Sequence, residues 1–157
     1  MRLRSLLPLA GLLIVGLSSC TKGTTVVVEH GVVPAPAYVD GGDEGPSAGD
    51  QRIFHLTGTS GDVDVTLEFV MITTAIDAPE KGVETRVSTG VFSFGGDDTL
   101  LLEGVGLYPG EGATLKPSAI LVRAIIGGTG KYSGANGYVV TEHLPDDTWT
   151  HTFHLDD

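Results

Sequence analysis

From Asp50 onward, apolar and polar side chains alternate at every second residue, and the alternation breaks only at clusters of Gly, Asp and Pro. Successive side chains of a strand point to opposite faces, so this period builds half-buried sheet. No 11-residue window carries the 3.6-residue period of an amphipathic helix. The pattern predicts strands over 52–59, 62–76, 84–94, 99–108, 118–126, 137–144 and 148–155. The second run is long enough to bend or divide, which makes seven or eight strands. Between the runs lie turn formers such as Ser60-Gly61-Asp62, Gly95-Gly96-Asp97-Asp98 and Pro109-Gly110-Glu111-Gly112. Short connections and an even strand count favour an all-β fold: a small antiparallel up-and-down β-barrel of about eight strands, lipocalin-like in architecture. Closure leaves no sheet edge exposed.

The amino terminus carries a different message. Arg2 and Arg4 precede an apolar run from Leu6 to Leu17, which ends in Ser18-Ser19-Cys20. The run is too short for a membrane span of about 20 residues and has the basic start and small-residue end of a secretory signal. It resembles a bacterial lipoprotein signal. That resemblance implies cleavage before Cys20, lipidation of its thiol, and a protein held outside the cytoplasm on a membrane of the cell envelope. The expected organisation is a signal over 1–19, a lipidated cysteine and Gly/Pro-rich acidic linker over 20–50, and a barrel domain over 51–157. Within the linker, Val26-Val27-Val28 reads either as an added strand or as an apolar piece of tether, and the flanking composition favours tether.

Charge and cysteine content exclude several function classes. Loss of Arg2 and Arg4 takes the formal charge from −11 to −13, and the remaining Lys and Arg are scattered singly. Nucleic acid is therefore not an expected partner, since phosphate binding needs clustered cations. Cys20 is the single cysteine, so neither a disulfide nor a thiolate metal site is expected. Asp62-Val63-Asp64, Asp97-Asp98 and Asp146-Asp147 lack the spacing of a calcium loop. His143 and His154 lie on neighbouring predicted strands where they could meet, but two imidazoles make a poor zinc site. Neither a metal nor a cofactor is expected.

Between Ile125 and Leu155 the chain reads Gly127-Gly128-Thr129-Gly130-Lys131-Tyr132, then Ser133-Gly134-Ala135-Asn136-Gly137-Tyr138, then two strands. This stretch resembles the allene oxide cyclase barrel family, which includes the dirigent proteins. Ser88-Thr89-Gly90-Val91-Phe92 and Leu102-Glu103-Gly104-Val105-Gly106 fall where that family places two neighbouring strands. The resemblance implies a barrel and either ligand binding or isomerase chemistry. Asn136 stands where dirigent proteins place a pocket arginine, and no catalytic residue of the cyclases can be carried over. A nucleotide loop is not expected, because a strand pattern rather than a helix follows the glycines.

Polar residues sharing a face with apolar neighbours are candidates for the barrel pocket. Glu103 alternates with Leu101, Val105 and Leu107; Arg123 with Leu121 and Ile125; His151 with Trp149 and Phe153; Tyr138 shares a face with Val140. An interior Glu103 and Arg123 would have to pair, because an isolated buried charge is costly. His151 is either a hydrogen-bonded core histidine or a general acid or base. The expected function is a lipid-anchored, extracytoplasmic barrel that binds a small hydrophobic ligand. The alternatives are a cyclase or isomerase on the same barrel and a non-catalytic envelope protein that forms a homo-oligomer.

Overall fold

The computed structural model describes residues 23–110, 112 and 114–156. The signal segment and Cys20 lie outside these residues. Nine strands follow in order: β1 (Thr24–His30), β2 (Ala37–Val39), β3 (Gln51–Ser60), β4 (Val63–Ile76), β5 (Val83–Ser93), β6 (Thr99–Pro109), β7 (Ile120–Thr129), β8 (Gly137–His143) and β9 (Trp149–Leu155). A single turn of 3-10 helix, Gly130–Tyr132, stands between β7 and β8. No helix among the described residues is long and apolar enough to cross a membrane.

All pairings are antiparallel, and the strand order is β1-β9-β8-β7-β6-β5-β4-β3, closed by β1 meeting β3 at Glu29 opposite Thr59. The result is a closed eight-stranded barrel. The short β2 lies outside this ring on the same edge of β3, pairing Ala37 to Val39 with Ile53 to Gln51. Every strand expected from Arg52 onward is present within a few residues of its predicted ends. The long second run stays one strand, with a register shift between Thr73 and Ala75 taking up its bend.

The reading of residues 20–50 as linker needs correction at Thr24–His30. This segment is a full barrel strand, paired along its length with β9 from Thr24 opposite Leu155 to His30 opposite Trp149. Val28 and His30 face inward and are buried, Val26 is half-buried beside them and Val27 is exposed on the outer face, so this run forms barrel wall and not tether. The Gly/Pro-rich chain that follows is also held. Asp50 is almost fully buried, and its carboxylate accepts from the Tyr38 hydroxyl at 2.6 Å, the Ser47 amide at 2.8 Å and the Gly41 amide at 3.2 Å. Burial pushes this carboxyl up, but these hydrogen bonds outweigh it and hold the group below the usual range. The same bond pushes the Tyr38 hydroxyl up to about 12.

The barrel has two ends of different chemistry. Toward the β3–β4 and β5–β6 turns, Leu67, Phe92, Leu100, Leu102 and Phe153 fill the interior, with Phe92 edge-on to Phe69 and Phe153 at centroid distances of 5.5 and 4.8 Å. Toward the loops after β4, β6 and β8 the inward positions turn polar. Arg52, Thr73, Glu84, Arg86, Ser88, Arg123, Thr141, His143 and His151 are all buried there.

Candidate functional site at the barrel mouth

The polar end contains two separate groups of charges. In the first, Glu84 and Arg86 stand two residues apart on β5 and so share its inner face. Glu84 Oε2 lies 2.9 Å from an Arg86 nitrogen and 3.3 Å from Arg52, and it accepts from the Thr73 hydroxyl at 3.1 Å. Arg86 also donates to the Gly112 carbonyl at 2.7 Å and lies over the Tyr108 ring, 4.7 Å from its centroid. Burial and the neighbouring Arg52 pull the Arg86 guanidinium down, while Glu84 opposes them. One carboxylate thus serves two buried arginines.

The second group centres on Arg123 from β7, which is 4% exposed. Its side-chain hydrogen bonds go to two neutral hydroxyls: Ser88 at 3.2 Å and Thr141 at 2.6 Å. The guanidinium carbon lies 5.3 Å from the centre of the Phe69 ring. Nε is buried without a hydrogen-bond partner, and among the described residues no carboxylate forms an ion pair with this side chain. Burial accordingly pulls Arg123 below the ordinary arginine value. Bare backbone opposite creates the space. A Cβ on Gly104 would sit 2.6 Å from Arg123 Cγ, closer than packing permits.

Arg123 heads a hydrogen-bond chain with one consistent direction. A guanidinium can only donate, so Thr141 Oγ1 accepts from it and sends its own proton to His151 Nδ1, 2.9 Å away. Nδ1 of His151 then accepts, which leaves the ring proton on Nε2. That atom is 3.1 Å from His30 Nε2, and His30 Nδ1 donates to the Gly31 carbonyl at 2.8 Å. Both imidazoles are neutral in this arrangement, their tautomers assigned by satisfying every donor. Burial, then the charge on Arg123, holds His151 well below its ordinary pKa; burial also lowers His30, against its bond to Gly31.

Trp149 closes the mouth, stacked between His143 at 4.1 Å and His30 at 5.9 Å. His143 contacts the Leu115 carbonyl at 2.8 Å, which fixes the loop that brings Leu115 over the opening. Beneath lies a cavity of about 30 Å³ lined mainly by apolar groups, with Arg123, Thr141, His30, His151 and Tyr108 on its walls. Arg123 is its one charged wall. Since roughly 10–15 Å³ accommodates a water, the space has room for a water or two.

Of the four expected pocket residues, Arg123 and His151 are at this site. Glu103 and Tyr138 are not. Glu103 is exposed on the outer face of β6, beside Val105 and Leu107, while Leu100, Leu102 and Tyr108 occupy the inner face. The expected Glu103–Arg123 pair therefore does not form. Tyr138 is exposed on the outside of β8, stacked on His154 at 4.6 Å. His143 points inward, so it does not meet His154. Among the described residues no three metal-ligating side chains are grouped to hold an ion.

Arg52, Glu84 and Arg86 are interior residues that the apolar alternation does not reveal, although Glu84 and Arg86 carry a signal: opposite charges two apart in a strand share one face. His30 was hidden inside the supposed tether.

The Gly127–Gly137 stretch is the joint between β7 and β8, with positive φ at Gly130 (58°), Gly134 (82°) and Gly137 (127°). Its 3-10 turn is three residues long and is followed by β8, with no helix terminus for a phosphate.

No family model matches the chain, and no curated protein matches it. Among solved structures, it is similar to pyocyanin demethylase, with a TM-score of 0.60 and 19% sequence identity over 85% of this chain and 98% of that one. At this identity the likeness is one of fold alone.

Proposed function

We propose that the barrel binds a small, mainly hydrophobic ligand at its mouth, and that the protein does so outside the cytoplasm while anchored through a lipid on Cys20. The observation that carries this reading is the apolar cavity under Trp149 and Leu115, with a few buried polar groups converging on it. Ligand sites have this composition. Drug-sized ligands occupy about 300–1,000 Å³, so binding requires Leu115 to withdraw from the mouth. Native mass spectrometry of protein purified from membranes is the test. A co-purifying small molecule, and a change in Trp149 emission when it is added back, are expected. A ligand-free protein whose single tryptophan ignores every apolar compound offered would contradict the proposal.

The barrel, the glycine joint at Gly127–Gly137 and the wall glycines Gly104 and Gly106 support membership of the allene oxide cyclase barrel family. Isomerase chemistry, which that resemblance implies, is the alternative. It is the weaker one, because Glu84 lies in the separate arginine cluster, where its Oε2 is held by Arg52, Arg86 and Thr73, and it is not on the wall of the cavity.

A separate observation supports self-association. Ile72, Val87 and Val105 follow one another across the outside of β4, β5 and β6, and Val122 and Val140 across β7 and β8. Val105 and Val122 are more than half exposed. An apolar band of this kind is covered by a second copy of the chain in this proposal. A monomeric mass by light scattering at micromolar concentration would contradict it.

A further inference from the structure

We infer that the ligand of the barrel mouth carries an anionic oxygen, a carboxylate or comparable oxyanion on an apolar body, and that Arg123 is the residue that receives it. The inference rests on the ligand-binding reading above and adds the chemical class of the ligand.

Three observations lead to it. The formal charge of the chain is −11, yet the one charged side chain on the cavity wall is a cation. The other two interior arginines share Glu84, whereas Arg123 has only the Ser88 and Thr141 hydroxyls and the Phe69 face. Its Nε proton is buried with nothing to accept it. A buried charge without a counter-charge is costly to keep, and it is tolerated where a partner arrives from outside. The cavity of about 30 Å³ suits an oxyanion head in place of water. The apolar remainder would lie toward the opening, against Val33, Leu115 and Trp149.

The hydrogen-bond chain strengthens the preference for an anion. The acceptor nitrogens of both rings are taken, His151 Nδ1 by the Thr141 hydroxyl and His30 Nε2 by the His151 ring proton, so neither offers a free acceptor to an incoming cation. A ligand acceptor, by contrast, meets a ready donor. Charge-assisted bonds of guanidinium to oxyanion are the strong class of hydrogen bond in such a setting.

The test is calorimetric titration of the whole protein at pH 7.5 with matched ligands. Octanoate is compared with octan-1-ol and octylammonium, and 4-butylbenzoate with 4-butylbenzyl alcohol. Each carboxylate is expected to bind at least about tenfold tighter than its alcohol, as a charged hydrogen bond implies. Octylammonium is expected to bind weakest. The stronger of the two carboxylates separates an aliphatic from an aromatic natural ligand. In Arg123→Met the carboxylate-to-alcohol ratio is expected to fall to about one, and in Arg123→Lys to recover in part. Equal affinity for acid and alcohol in the native protein overturns the inference while leaving ligand binding intact. No binding by either class overturns ligand binding and the inference together. The native comparison stands even if a variant fails to fold.

Discussion

A buried guanidinium held by two hydroxyls and an aromatic face, with no carboxylate beside it, is the most consequential residue in this molecule, because its cost predicts behaviour that an ordinary core residue would not show. Replacing an unpaired interior charge with an apolar side chain of similar volume relieves desolvation, so Arg123→Met is expected to raise stability by about 1 kcal/mol. Chemical denaturation checks this; a loss of several kcal/mol would mean that the hydroxyl contacts alone justify the charge. Glu84→Gln should behave in the opposite way. It leaves Arg52 and Arg86 buried without their shared carboxylate, and a loss of about 3–5 kcal/mol is expected.

The paired histidines make stability depend on pH with a definite sign. His30 and His151 both titrate in the folded protein below their ordinary value of 6.5. The unfolded chain takes up protons first as pH falls, so their contribution is complete above about pH 6.5 and is lost as pH drops toward the folded values. Denaturation midpoints between pH 8 and pH 5 should fall in the acid half. His151→Gln removes one linked proton and should flatten that slope by roughly 1.4 kcal/mol per pH unit. An unchanged slope would show that His151 is protonated in the fold.

At the level of strands, period-two alternation located β3 to β9 because each has one inner and one outer face. It failed where both faces are apolar. On β6, Leu101, Val105 and Leu107 face out while Leu100 and Leu102 face in, and the remaining inward positions include the glycines Gly104 and Gly106. Those bare positions look like solvent side, so alternation alone puts Glu103 inside. On β8, Val139 and Val140 are equally apolar and Tyr138 was assigned the wrong face for the same reason. The strand β1 was missed because Gly and Pro on its carboxyl side resemble a tether, and only its ladder to β9 shows otherwise. Val28→Asp, which places a carboxylate at a fully buried position of β1, is expected to unfold the barrel, read as loss of cooperative melting. Gly104→Ala on β6 should displace Arg123 and cost about 1–3 kcal/mol.

Across the whole molecule, polarity runs along the barrel axis. The carboxyl end of β1, with His30, lies at the mouth, and its start, Thr24 opposite Leu155, lies at the other end. Three residues, Thr21 to Gly23, separate Cys20 from β1, and three extended residues span only about 10 Å. In the anchored protein we propose, the barrel therefore sits close to the membrane with its mouth on the far side. Its ligand would arrive from the surrounding fluid and not from the bilayer. Phe and Leu fill the end of the barrel where β1 starts and buried arginines gather at the end where it finishes, and Arg123 is the one charged group there that lines the cavity.

The most direct measurement is the NMR signal of the Arg123 Nε–H group during titration with octanoate. A large, saturating shift of that signal, with smaller shifts at Thr141 and His151 along the hydrogen-bond chain, is the predicted result. An Nε–H signal that stays still while octanoate shifts only the outer apolar band of Val105 and Val122 would contradict the account.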